Sequence, residues 1–275
     1  MRLTRILRTW RPFGAGFGAV VSVVSGVVIR SRNLRLEGPL KSMFDGAMRF
    51  DIFFSICQNE VAGHIPSEKQ MWRNFFDQVD LADGLGFETA WIAESHLSSE
   101  VQKQNAHPVI PSFKGEIGLN TDILQLAHKV FARTKNLNVG SAIRNILCNG
   151  GPIAHAEAVR TFLSLHGFDS SEKRLLDFGF ASGRFPYSNE PYGVKPRNEF
   201  ERKVWPVLKG LVFQQATEIF LRFIRGDVFS SKDVKAIVIT PAMFREPQDW
   251  TEPVEIPPFW VFDKVGVIPK EAPLE

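Results

Sequence analysis

From residue 48 onward, short apolar segments alternate along the chain with longer segments whose apolar residues recur every three to four positions. A short segment rich in aromatic and β-branched residues predicts a buried strand, and the longer repeat predicts an amphipathic helix. Strands are predicted at residues 49–55, 89–93, 136–142, 174–181 and 234–239. Helices are predicted at residues 67–85, 122–133, 150–166 and 198–224, with Ser67 as the N-cap of the first.

This alternation predicts an α/β fold whose parallel strands are joined by right-handed crossovers. The pattern by itself leaves open both a closed (β/α)8 barrel and an open doubly wound sheet. A polar segment of about twenty residues separates the second predicted strand from the helix at 122–133. Insertions of that size after a barrel strand usually build the rim or lid of an active site, and we expect the same here.

The first 47 residues are expected to form a leader in front of a single domain at residues 48–275. Four spaced arginines precede an uncharged segment, residues 12–29, that is rich in Gly, Val and Ala. Three interpretations remain open: a signal or transit peptide, a marginal membrane anchor, or upstream sequence translated from a start codon placed too early. Under the third interpretation the true start is Met43 or Met48, and the leader is disordered.

The net charge of +3 is concentrated in the leader, since residues 1–46 hold eight of the 33 Lys and Arg residues and two of the 30 acidic ones. The rest of the chain therefore carries a net charge of −3, and a nucleic-acid partner is not expected. Cys57 and Cys148 are too few and too far apart for a disulfide framework or a metal site. We expect both in the core of a protein of the reducing cytoplasm.

Four pieces of the sequence resemble, in order and spacing, those of the bacterial-luciferase-like monooxygenase family: MRFDIFFS, QVDLADGLGFETAWIAESHL, ARTKNLNVGSAI and RLLDFGFASGR. The resemblance covers roughly residues 48–200. It implies a TIM-type (β/α)8 barrel with an active site at the C-terminal ends of the strands. Such a barrel needs eight strands and about 250 residues. Because only four barrel strands are predicted here, we expect an incomplete barrel, truncated after its first half, from a longer gene.

The resemblance also implies the chemistry. Members of the family usually bind reduced FMN, which a separate flavin reductase can supply, and use it with dioxygen to oxidise a small organic substrate. One branch uses the deazaflavin F420 for hydride transfer instead. An FMN-dependent monooxygenase is therefore the expected function, with an F420-dependent oxidoreductase and a non-catalytic flavin-binding relative as alternatives. A complete barrel would be expected to form a dimer.

Glu94, Ser95 and His96 align with the family's Glu-His-His sequence at the end of the second strand. The resemblance places Glu94 beside the cofactor and makes His96 the catalytic candidate, since a histidine next to a carboxylate can act as a general base near neutral pH. A pocket-supporting role and a packing role for His96 remain open. Ser95 stands where the family usually has the histidine that transfers the proton, and this keeps the non-catalytic alternative open.

Ser141 and Ala142 match the end of the family's third strand. A non-prolyl cis peptide commonly supports the isoalloxazine ring at that place in the family. The resemblance therefore implies that both residues contact the flavin, and the simpler interpretation is an ordinary strand end.

Ala181 ends the fourth predicted strand, where a cysteine or glycine often lies beneath the flavin in the family. The next three residues, Ser182, Gly183 and Arg184, offer a small-residue turn and a cation, which together suit a phosphate group. The family often has an arginine at the position of Ser182, so Arg184 is expected to take over the phosphate contact. The alternative is a turn arginine in solvent. No metal site is predicted, since the first strand lacks a His-x-His pair.

Overall fold

The computed structural model describes residues 49–58, 60, 63–98 and 118–272, together with the backbone of Gly26–Arg30. The strands of this part are β1 (Gly26–Arg30), β2 (Arg49–Phe54), β3 (Thr89–Ile92), β4 (Asn138–Asn145), β5 (Leu176–Ala181), β6 (Ile237–Ile239) and β7 (Val254–Ile256). Its α-helices are α1 (Glu68–Gly84), α2 (Ile123–Phe131), α3 (Gly151–His166) and α4 (Glu199–Arg225).

The first five strands form one sheet in the order β1-β2-β3-β4-β5. The pairs β2–β3 and β3–β4 are parallel. The N–H of Val139 bonds to the carbonyl of Leu175 at 3.0 Å, and the N–H of Ile146 bonds to the carbonyl of Ala181 at 3.1 Å, so β5 runs in the same direction beside β4. Four neighbouring parallel strands that alternate with helices confirm the expected α/β fold and form part of a (β/α)8 barrel.

Two compact units share this sheet along the described residues. The first unit contains the residues up to Ile143 together with Lys173–Gly179, and the second contains Arg144–Glu172 and the residues from Phe180 onward. The division passes through β4 and β5, since each of these strands begins in the first unit and ends in the second. Each unit is described by itself below.

Side-chain caps determine where three of the helices begin. Ser67 accepts a hydrogen bond from the N–H of Gln70, and Asp122 accepts one from the N–H of Leu124. Asn198 caps α4 in the same way. A cap satisfies backbone donors that the first helical turn leaves open, and for this reason these helix starts lie within one residue of those predicted.

The helical spacing of the apolar residues in α1 predicts one buried face made of Trp72, Phe75, Phe76, Val79 and Ala82. The buried face differs from this in part. Phe75, Val79 and Ala82 are buried as expected, but Met71 takes the remaining core position. Trp72 and Phe76 are only half-buried, at the border of this face. Phe75 packs edge-on against Phe54 of β2, with ring centroids 5.4 Å apart, which connects the helix to the sheet.

β4 lies further along the chain than its predicted span of 136–142, and Asp83 at the end of α1 supplies the reason. Its carboxylate accepts hydrogen bonds from the backbone N–H groups of Lys135, Asn136 and Leu137 at 2.8, 2.8 and 2.9 Å. These donors are therefore unavailable to the sheet, and the strand begins only at Asn138. Burial raises the pKa of Asp83, but the three donors and the charge of Arg174 outweigh it and hold the pKa below its usual value.

In the second unit, α3 and α4 pack together, and a buried arginine joins them to the segment that follows. Arg160 of α3 is 1% exposed. Its Nε donates to the carbonyl of Pro269 at 2.6 Å, its Nη1 donates to the carbonyl of Ile224 at 2.5 Å, and its Nη2 donates to the carbonyl of Lys270. All three nitrogens of the guanidinium group thus bind main-chain oxygens, including one at the end of α4.

The region after α4 contains less strand than its sequence predicted. The strand predicted at 234–239 is reduced to β6, which pairs antiparallel with β7 in a separate two-stranded sheet. Residues 231–233 form a 3-10 turn closed by a capping box between Ser230 and Asp233, and this turn keeps the chain out of an extended conformation just before the strand. Residues 262–268 form no strand and contribute one isolated bridge, between Val265 and Phe229.

Several of the segments to which the sequence-based predictions apply lie outside the described residues. The leader at 1–47 lies there except for the backbone of β1, which pairs antiparallel with β2. Residues 99–117, most of the segment expected to form a rim or lid, lie there as well. Cys57 and Cys148 are described, and both are buried and outside any disulfide, which confirms their expected place in the core.

Replacing Asp83 tests whether its carboxylate holds the start of β4. We expect Asp83→Ala to lower the free energy of unfolding by about 2 kcal/mol, because a hydrogen bond to a charged acceptor contributes about 1.5–3 kcal/mol and these three are partly exposed. Urea unfolding of the full chain measures the change. The matched control is Asp80→Ala, one turn earlier on α1, which removes an exposed ion pair with Arg133 and should cost far less.

The same variant should change the response to acid. Since the pKa of Asp83 is lowered by folding, its stabilising effect is complete above the pKa of an unfolded aspartate, about 3.9, and is lost as the pH falls through the folded value. Asp83→Ala should therefore lose less stability than the wild type over that acidic interval. Equal destabilisation by Asp83→Ala and Asp80→Ala, or an unchanged acid response, would contradict this account.

Candidate active site

The candidate residues of the first unit lie just after the C-terminal end of β3 and, beside it, in β4. Ile92, the last residue of β3, is paired in register with Ser141. Because β4 continues to Asn145, Ser141 and Ala142 lie in the middle of this strand and not at its end, where the sequence placed them. Glu94 and His96 follow β3 directly. Functional groups of barrel proteins collect at this end of the strands, which makes the cluster a candidate active site.

Glu94 and His96 form a buried hydrogen-bonded pair. Glu94 Oε1 lies 2.8 Å from His96 Nε2, and the two side chains are 0% and 6% exposed. The second carboxylate oxygen, Oε2, accepts the N–H of Ile123 at 3.1 Å. Ile123 is the first residue of α2, and the positive end of a helix favours a carboxylate there. An ionised Glu94 assigns the proton of a neutral His96 to Nε2 and leaves Nδ1 as an acceptor.

Two buried polar atoms near this pair have no hydrogen-bond partner among the described residues. They are the hydroxyl of Ser141 and the side-chain nitrogen Nδ2 of Asn120. The carbonyl of Asn120 accepts a hydrogen bond from the N–H of Ser95 at 3.0 Å. Because Ser95 stands between Glu94 and His96, this bond brings the backbone of Asn120 close to the pair. A buried polar atom without a partner costs about 1–3 kcal/mol, so both atoms suit a ligand that offers hydrogen bonds.

Glycines bring the backbone close together around Ser141. A Cβ on Gly179 would lie 2.4 Å from the carbonyl oxygen of Ser141, and one on Gly140 would lie 2.4 Å from the ring of Trp91. Only glycine fits either position without a shift of its neighbours. The peptide bond from Ala142 to Ile143, in the same strand, is cis. The orphaned hydroxyl of Ser141 and this close backbone approach fit a planar ligand with hydrogen-bonding edges, such as a flavin ring.

In the second unit, the turn at residues 182–184 follows β5 and is fixed by amide side chains. Gly183 has a φ of +70°, and a Cβ there would lie 2.4 Å from Nδ2 of Asn145. That nitrogen cannot easily move, because it is buried and donates to Oδ1 of Asn189 at 2.6 Å. Nδ2 of Asn189 in turn donates to the carbonyl of Ser182 at 2.9 Å. The turn is thus held in one conformation.

A lysine that the sequence analysis did not single out reaches the same turn. Nζ of Lys209 in α4 donates to the carbonyl of Gly183 at 2.7 Å. Burial lowers the pKa of Lys209. Arg184 is exposed, with its guanidinium group 5.4 Å from the ring centroid of Phe185. The turn is therefore next to two cations in the second unit, one half-buried and one in solvent.

The structure brings the predicted residues together in two sets. Glu94, His96, Ser141 and Ala142 belong to the first unit, and Ala181, Ser182, Gly183 and Arg184 belong to the second. The roles of these eight residues stay predictions. Four polar side chains around them were not predicted: Asn120, Asn145, Asn189 and Lys209. Asn120 lies two residues before a predicted helix, and Asn145 lies three residues after a predicted strand and ends β4. Nearness to the end of an element is the signal that could have indicated these two.

The described residues contain neither a cluster of metal ligands nor a membrane-spanning helix. Within 49–98 and 118–272, apart from the gaps noted above, no group of three or more His, Cys, Asp or Glu side chains is arranged to hold a metal ion. The helices of that part include none with the length and apolar character needed to cross a bilayer.

Comparisons with known proteins give a family match and a number of similar structures, two of which are named below. A search of curated proteins finds no match. One similar structure is the oxygenating constituent of 3,6-diketocamphane monooxygenase from Pseudomonas putida, a type II Baeyer-Villiger monooxygenase in complex with FMN. It is 14% identical with a TM-score of 0.42, and the match covers 76% of this chain and 46% of that one.

The other similar structure is the monooxygenase RslO1 from Streptomyces bottropensis, at 15% identity and a TM-score of 0.43. The match covers 74% of this chain and 45% of that one, so this chain spans less than half the length of either protein. The family match is to the luciferase-like monooxygenases and extends over residues 48–202, more than half of the chain. The chain therefore belongs to the luciferase-like monooxygenase family.

Proposed function

We propose that this chain is a flavin-dependent oxidoreductase that uses reduced FMN and dioxygen to oxidise a small organic substrate. The family match over residues 48–202 carries the proposal. The buried Glu94–His96 pair and the orphaned hydroxyl of Ser141 support it, because they supply a proton-transfer group and a ligand-binding group at the end of the sheet where barrel enzymes act. When bound, reduced FMN supplies the electrons for the reaction with dioxygen.

His96 is the residue proposed to move a proton. Its Nε2 is engaged by Glu94, and its Nδ1 is the ring atom that can accept a proton from the reacting groups and return it. Glu94 fixes the orientation of the imidazole ring and stabilises its protonated form, since the carboxylate is itself held at both oxygens. In this role Ser95 needs no catalytic part, although it stands where the family usually has a histidine.

Binding of the flavin ring is assigned to polar groups of the first unit. Ser141 Oγ and Asn120 Nδ2 would each form a hydrogen bond with the polar edge of the ring, and Ala142 would provide a surface beside it.

Direct binding and product analysis test the proposed activity. The full chain is titrated with FMN and with F420 under anaerobic conditions, and tight binding of FMN is expected. Reduced FMN, isotopically labelled dioxygen and a panel of small organic substrates are then combined, and mass spectrometry measures labelled oxygen in the products. Absence of FMN binding, or binding of F420 in preference to FMN, would overturn the proposal.

The role of His96 is tested by His96→Gln. The glutamine amide can still donate to Glu94, but it offers no atom that exchanges a proton near neutral pH. The rate of substrate oxidation should fall by about 100-fold or more, as expected for loss of general acid–base catalysis, while FMN affinity is largely retained.

The matched control is His64→Gln, the same change at an exposed histidine, which should leave the rate unchanged. Thermal unfolding establishes that both variants fold. A His96→Gln protein that folds, binds FMN and oxidises substrate at the wild-type rate would restrict His96 to a packing role.

A further inference from the structure

The ammonium group of Lys209 is half-buried without a negatively charged partner. It donates one hydrogen bond to the neutral carbonyl of Gly183, and no carboxylate among the described residues forms an ion pair with it. Desolvation is the cause of its lowered pKa, with no compensating acid. Arg197, by contrast, is a partly buried cation that binds the carboxylate of Glu201 at 2.7 Å. An anion at the turn would supply the charge that Lys209 lacks.

The polarity of the turn also suits an anion. Two of its carbonyls already accept hydrogen bonds: that of Ser182 from Asn189 Nδ2 and that of Gly183 from Lys209 Nζ. Within the described part of the chain, the backbone N–H groups of Gly183 and Arg184 donate to no acceptor. A turn with satisfied carbonyls and open N–H groups presents positive dipole ends, which is the arrangement that binds phosphates.

The glycine at the centre of the turn keeps this arrangement accessible. A side chain at residue 183 would be strained by the positive φ and would meet Asn145 and Ser188. Arg184 adds a second, exposed cation next to the open N–H groups. A half-buried ammonium, an exposed guanidinium and two free backbone donors together match the charge and the acceptor oxygens of a phosphate monoester.

We propose that Lys209 is the cation with which the turn of Ser182, Gly183 and Arg184 binds the terminal phosphate of FMN, so that this chain distinguishes FMN from riboflavin. The inference rests on the proposed function, because it assigns the phosphate to a flavin. Lys209 has two further N–H donors beyond the one given to Gly183, and these are the donors that the phosphate would receive.

FMN and riboflavin differ only by the phosphate, and their affinities for the full chain test the proposal. Fluorescence titration should show FMN bound more tightly than riboflavin by the wild type. In Lys209→Gln, FMN affinity should fall about tenfold, which corresponds to about 1.4 kcal/mol, and riboflavin affinity should stay unchanged. Lys209→Arg keeps the charge and should retain most of the preference for FMN.

The matched control is Lys203→Gln, which removes the same charge from an exposed position of α4 where the lysine pairs with Asp249. It should keep the wild-type preference. Thermal unfolding without ligand should show Lys209→Gln at least as stable as the wild type, because the change removes an uncompensated buried charge. Inorganic phosphate, compared with chloride at equal ionic strength, should raise the melting temperature of the wild type more than that of Lys209→Gln.

The possible failures can be told apart. Equal binding of both flavins by the wild type would overturn the role of Lys209 and leave the proposed function standing. Absence of binding of either flavin would contradict both. Stabilisation of the wild type by inorganic phosphate without any preference for FMN would show that the turn serves another phosphorylated compound, and this would overturn the assignment to FMN.

Discussion

The carboxylate of Asp83 decides where β4 begins, and the side chains at the end of the sheet depend on that start. By taking the N–H groups of residues 135–137, it delays pairing until Asn138 lies opposite Thr89. That register sets Gly140 against Trp91 and Ser141 beside Ile92. A slip of one residue would turn Ser141 to the other face of the sheet. An acid at a helix C-terminus opposes the helix dipole, which indicates that its hydrogen bonds to the loop compensate.

The parts of the fold that depend on neighbours in sequence could be predicted from the sequence, and the parts that depend on distant contacts could not. Helix starts at Ser67 and Asp122 were predictable because a cap and the turn it satisfies are only two or three residues apart. The predicted start of β4 was wrong because the residue that sets it, Asp83, lies more than fifty residues before it in the sequence. β7 escaped prediction because three residues are too few to show a period.

The candidate site divides in the same way. Glu94 and His96 could be indicated from the sequence because they stand two residues apart at a strand end that resembles the family's, and their side chains form a hydrogen bond. Lys209 could not, since it lies in a long helix where lysine is an ordinary surface residue, and only the packing of α4 brings it to Gly183. The partners of Asn145 are equally distant in sequence: its contact with Asn189 spans 44 residues.

Arg160 gives the second unit an attachment that does not respond to protons. A guanidinium group stays charged at any pH at which proteins fold, and the carbonyls that it binds do not titrate. The hold on the segment at Pro269 is therefore the same in an acidic and in a neutral solution, whereas the loop before β4 depends on a group that can be neutralised. Acid below about pH 4 should consequently loosen the beginning of β4 while the end of α4 stays tied, so that protonation acts on one region of the chain and leaves the other in place.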